Sequence, residues 1–258
     1  MRRELHAEWT KLRTSPATGW LLLGVAAVTV ALSAAVAALV TCSSSDCGYD
    51  ATRVGLAGVQ VSQALVAVQA VLAISGEHTT GMIRTSLAAM PRRARVLTAK
   101  AAVLTGVTLV AGTIGVLGAI VAAGQILPGN GFTPAHGYAP LSPADGSTLR
   151  AVAGSILYLV LIALLSLGIA TAVRDSATAV GVVLGLLYLV PIIAVLVSDP
   201  RWQHLLNQIS PTNAGLTIQA TSQLSGLPLS PWAGMGVLAG WAAAALLGGG
   251  VLLRRRDA

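Results

Sequence analysis

Six runs of about twenty mostly apolar residues fill most of the sequence, at 17–40, 54–74, 101–126, 151–173, 177–197 and 232–253. Hydrocarbon about 30 Å thick offers no water to an unpaired amide, so a crossing segment must be roughly 20 residues of helix with its backbone bonds internal. The expected fold is all-α and integral to a membrane, a single transmembrane domain over residues 1–258 with six transmembrane helices. Charge agrees with this, because 10% of the residues are charged where a soluble chain carries about 25%.

The first run follows basic residues and precedes small ones, as a secretory leader does, and Leu39, Val40, Thr41 and Cys42 faintly sketch a lipoprotein cleavage site. It is too long for a leader, a charged stretch of 16 residues precedes it, and Thr41 fits poorly before such a cysteine. It is read as a retained span.

A formal net charge of +7 suggests phosphate binding until the charges are placed. With a cytoplasmic N-terminus, six crossings leave only Arg53, Arg150 and Arg201 of the 16 Lys and Arg residues on the outer side. The positive-inside rule then puts both termini in the cytoplasm. The basic balance is topological, and nucleic acid is not an expected partner.

Short amphipathic segments flank the spans. Leu5, Trp9 and Leu12 recur at i, i+4 and i+7 with Glu4, Glu8, Lys11 and Arg13 on the rest of the surface, before Pro16. That pattern suits an elbow helix lying in the interface, although a solvated basic tail also obeys the charge rule. The loop 75–100 carries Ile83, Leu87 and Met90 at helical spacing, then Pro91 and the cluster Arg92, Arg93 and Arg95. An exposed apolar stripe needs a covering, which a partner protein or the anionic lipid surface supplies. Outside, 125–148 reads as an irregular loop rich in Pro and Gly. Trp202, Leu205, Leu206 and Ile209, followed by Pro211 and a second semi-polar stretch, predict two short interfacial or re-entrant helices before the last span.

Little chemistry is visible in the spans. No Asp, Glu or His marks a coupling-ion site, and no phosphate loop, catalytic triad or clustered metal ligand set is present. Gln60 and Gln63 lie about 60° apart on a helical wheel and can share a face, either to bond neighbouring helices or to line a substrate path. Gly112, Gly115 and Gly118, and Gly181 with Gly185, have the spacing of packed helix faces. Pro191 predicts a kink in the fifth span. Cys42 and Cys47 share the first outer loop, where a disulfide and two free thiols are both compatible with the sequence.

The run Glu77, His78, Thr79, Thr80, Gly81, Met82, Ile83 and Arg84, then Leu87, Pro91, Arg92, Arg95 and Lys100, resembles the first cytoplasmic loop of ABC-2 type transporter permeases. Glu8 to Arg13 is similar to their elbow helix, and the ending Arg255, Arg256, Asp257 and Ala258 is similar to theirs. Met82 departs from the Thr common at that position. The resemblance implies a bacterial plasma-membrane exporter of a small molecule, peptide or lipid, with two permease copies as a homodimer or heterodimer. It implies a cytoplasmic ATPase subunit that holds ATP and Mg, so that this chain carries no cofactor and is not itself an enzyme. On that resemblance Glu77, Thr80, Gly81, Ile83, Arg84 and Leu87 couple to the ATPase. An immunity or assembly protein anchored in the membrane, or an intramembrane enzyme, is the competing expectation.

Overall fold

The computed structural model describes residues 10, 16–42, 47–79, 93–139, 141–142, 145–173 and 175–256, with side chains for all of these except 16, 17, 76–79, 93–95, 254 and 256. The described residues form helices and no strand. Helix α1 (Pro16–Leu39) begins on a proline, whose missing N–H costs nothing in a first turn. A short α2 (Ala51–Gly55) precedes α3 (Val59–Thr79), and α4 (Arg93–Ile126) and α5 (Gly146–Val173) are the longest elements. Helices α6 (Ser176–Leu184) and α7 (Val190–Leu196) are joined through a π-helical turn at Gly185–Leu189. Two short helices, α8 (Pro200–Ile209) and α9 (Pro211–Leu216), lead to α10 (Pro231–Arg256).

Among the described residues five stretches are long and apolar enough to cross a bilayer: Thr18–Leu39, Val96–Asn130, Gly146–Val173, Ser176–Leu196 and Pro231–Leu253. Helix α5 is the hub, packing against α3, α4 and α10 and burying Tyr158, Leu159, Ile162, Leu165 and Leu167 completely. Its seam with α10 depends on backbone contact. A Cβ placed on Gly168 would lie 2.4 Å from the Ala245 carbonyl carbon, so nothing larger than glycine fits.

The second apolar run differs from a single helix starting at 54. The chain turns at 56–58 between α2 and α3, because Gly58 is pressed against α1. Its N–H donates to Ser33 Oγ at 3.0 Å, and a Cβ there would sit 2.2 Å from the Thr29 carbonyl oxygen. The glycines at 112, 115 and 118 also pack, on Leu159 and on α1 at Ala26, Thr29 and Val30. Gly181 packs on nothing, and Gly185 meets only Leu189 of its own helical turn. Small residues at helix-packing spacing therefore mark a contact face in one span and an open face in another.

The loop 125–148 is better ordered than its composition implies. Leu127–Asn130 and Pro134–His136 are 3-10 turns, and Asn130 Nδ2 donates to the Ala37 and Ala38 carbonyls, satisfying groups left bare at the end of α1. The rings of Phe132 and Tyr138 pack at a tilt, with centroids 4.8 Å apart.

Candidate functional site

Pro191 has no N–H to offer the carbonyl four residues earlier, and its ring crowds that carbonyl. The π turn ends just before it, widening the helix where the regular ladder fails. The carbonyl left over belongs to Leu187, and Thr212 Oγ1 of α9 donates to it at 2.9 Å. The irregular turn in the apolar helix Ser176–Leu196 is thus held by a side chain from the helix pair that follows it. Helix α9 is itself buried at Pro211, Thr212, Ala214 and Gly215, whereas α8 buries none of its side chains. Indole Nε1 of Trp241 donates to the Ile209 carbonyl at 2.9 Å, closing the break between them.

The π turn places Tyr188 against α3. Its hydroxyl donates to the Gln60 carbonyl at 2.8 Å, while the hydroxyl of Tyr158, from α5, donates to Gln63 Oε1. Gln63 and Tyr158 are both completely buried, and Gln63 Nε2 has no acceptor among the described residues. Gln60 faces outward. The two glutamines, which the helical wheel groups on one face, are divided by the packing of α5. One is interior glue and the other is a surface amide. Tyr188 stands about 18 Å along its helix from Ser176 and about 12 Å from Leu196, so Gln60, in the first turn of α3, is an exposed amide beside an apolar belt that includes Val182, Leu189 and Ile192. Unsatisfied amides are costly in hydrocarbon, which argues against plain lipid as its neighbour.

A second polar assembly lies at the opposite end of α3 from residue 75. Asp50 caps α2, accepting from Thr52 N at 3.1 Å and Arg53 N at 3.2 Å. The same carboxylate accepts from Thr221 N at 2.6 Å, Thr221 Oγ1 at 2.8 Å and Ser222 N at 2.9 Å. Burial pushes its carboxyl up, but the amides of Ser222 and Thr221, the Thr221 hydroxyl and the Arg53 amide outweigh this and hold it below the ordinary value. Arg150 adds a parallel tie, Nη2 donating to the Ala220 carbonyl at 2.6 Å. Nearby Cys42 and Cys47 are joined in a disulfide with a Cα–Cα distance of 5.7 Å.

At the other end of α3, Lys100 Nζ donates to the Ala73 carbonyl at 2.8 Å, pinning the start of α4 to the last turns of α3. The loop 75–100 leaves and returns through this pin. Of the residues expected to couple, Glu77 lies in the last turn of α3 with its side chain outside the described residues, and Thr80, Gly81, Ile83, Arg84 and Leu87 lie outside them altogether. So do Leu5, Trp9 and Leu12 of the expected elbow. Among the described residues no group of three His, Cys, Asp or Glu side chains is arranged to hold a metal.

Sequence reasoning passed over Asp50, Thr212, Tyr158 and Tyr188. Only Asp50 carried a local signal, a carboxylate directly before a helix start.

No curated protein matches the chain. A family model described as ABC-2 family transporter protein matches residues 61–258, from the first turn of α3 to the last residue and so across the π turn, α8 and α9. A multi-pass bundle with that match over most of its length is a member of a transport family, and the chain belongs to the ABC-2 family of transporter proteins.

Proposed function

We propose that the chain is the permease subunit of an ATP-driven exporter in a bacterial plasma membrane, working with a separate cytoplasmic ATPase that holds ATP and Mg and with a second permease copy, identical or related. The observation that carries the coupling reading is the Lys100–Ala73 pin. A partner that grips the loop 75–100 through Glu77, Thr80, Gly81, Ile83, Arg84 and Leu87 pulls on α3 and α4 together, because the two are fastened where the loop begins and ends. Helix α3 has 21 residues, about 30 Å, which suits it to be a sixth crossing with both termini in the cytoplasm. Leu5, Trp9 and Leu12 then lie as an elbow in the cytoplasmic interface.

For the route of the cargo, the exposed Gln60 beside Tyr188 favours a path or a second copy against this face over lipid. A small molecule, a peptide or a lipid passing here meets one amide in an apolar wall.

The test is a search of the adjacent reading frames for a phosphate-loop ATPase, co-expression with it, then purification in detergent. Replacement of Glu77 and Arg84 by alanine is expected to abolish co-purification and cargo-stimulated ATP hydrolysis while the permease still accumulates in the membrane. A complex of unchanged yield and ATPase rate rules out the coupling assignment.

A further inference from the structure

A groove opens between the first turns of α4 and the last turns of α10. Leu97, Ala101, Leu246, Gly250, Val251 and Leu253 line it, and its volume is about 290 Å³. It is almost wholly apolar and is shaped by a small residue. A Cβ on Gly250 would be 3.6 Å from Leu97 Cδ2, an ordinary contact, so the space is open to either side of that point. Both walls end in arginine. Helix α4 starts at Arg93 with Arg95 two residues on, and α10 ends through Arg254, Arg255 and Arg256. From Leu246 to Leu253 is about 10 Å along the helix, so an apolar slot of that depth lies beside two helix ends whose sequences carry arginine. Lys100 is not one of them, because its ammonium group serves the Ala73 carbonyl.

An apolar slot beside arginine-bearing helix ends has the chemistry of one membrane component, an anionic phospholipid with an acyl chain in the slot and its phosphate at those ends. A second copy of this chain is a poorer occupant. A twofold contact through the groove brings each arginine run against its own counterpart, and like charges repel. We infer that the groove between α4 and α10 is a binding site for an anionic phospholipid, which on the topology proposed above belongs to the inner leaflet. Such a lipid bridges the helix that leaves the coupling loop to the final helix.

The purified permease in detergent is supplemented with phosphatidylglycerol or with phosphatidylcholine of the same acyl chains, and its thermal midpoint is measured. Phosphatidylglycerol is expected to raise the midpoint at least about 3 °C further than phosphatidylcholine. Gly250→Leu, which fills the slot, and the triple change Arg254→Gln, Arg255→Gln and Arg256→Gln, which removes one charged wall, should each bring the two lipids level. Their midpoints in phosphatidylcholine report that the fold survives. Should Gly250→Leu fail to fold, Val251→Trp blocks the rim instead. Equal stabilisation of the unaltered protein by both lipids overturns the site, and so does a preference that persists with the slot filled. A Val251→Cys protein that cross-links to a second copy in membranes also overturns it, by assigning the groove to a dimer. None of these readings depends on the ATPase, so the site and the exporter reading fail separately.

Discussion

The carboxylate of Asp50 takes three hydrogen bonds from Thr221 and Ser222, which lie 171 and 172 residues further along the chain. It thereby ties the start of α2 to the segment between α9 and α10, two parts of the molecule with no local reason to meet. Asp50→Ala strips five donors of one acceptor and is expected to lower the unfolding free energy by about 2 kcal/mol. Asp50→Asn, which retains one carbonyl oxygen, should fall between. Denaturation in mild detergent measures both.

The same group has a pH signature. Its carboxyl is depressed below 3.8 in the fold, so the stability it supplies is complete above the unfolded value and drains as pH falls through the lower folded one. The gap in thermal midpoint between the unaltered protein and Asp50→Ala should hold steady from about pH 7 to about pH 5, and close only below about pH 4. A gap that closes near neutrality would point to a different group.

Thr212 and Pro191 form a testable pair. Thr212→Val keeps the shape of the side chain but abandons the Leu187 carbonyl, at a cost of about 1 to 3 kcal/mol. In a Pro191→Ala background the residue-191 N–H becomes available to that carbonyl, and the cost of Thr212→Val should shrink to less than half. A double-mutant cycle read by chemical denaturation gives the coupling directly. Additive effects would show that the hydroxyl does not stand in for the missing amide.

The α5–α10 seam leaves no room at Gly168. Gly168→Ala drives a methyl group into the Ala245 backbone, and overpacking of this kind costs about 1 to 3 kcal/mol. The expected result is a lower yield of monodisperse protein on size exclusion. Gly181→Ala serves as the control, since nothing lies within 4 Å of a Cβ there and the yield should not change.

Gln60 and Gln63 should separate by phenotype. Tyr158→Phe or Gln63→Leu disrupts a buried polar pair and is expected to cost about 1 to 3 kcal/mol. Gln60→Leu should leave the thermal midpoint almost unchanged, because the tie to Tyr188 uses the backbone carbonyl and not the side chain. Its effect, if the exposed amide lines a path, appears as altered transport rate or cargo preference in vesicles reconstituted with the ATPase.

Runs of apolar residues and a proline inside a span are properties of short stretches of chain, and they determined the helical class, five of the six expected spans as long apolar helices among the described residues, and the site of the irregular turn before Pro191. The loop motif around Gly81 led to the family by the same local means. Other features depend on which helices touch. Whether Gly181 or Gly115 is a contact, which of Gln60 and Gln63 is buried, and that Thr212 answers for Pro191 were decided only when α5 took the centre and α9 folded back against the π turn. A helical wheel knows the angle between two side chains but not which neighbour arrives on that side, and an aspartate at position 50 cannot announce a threonine at 221.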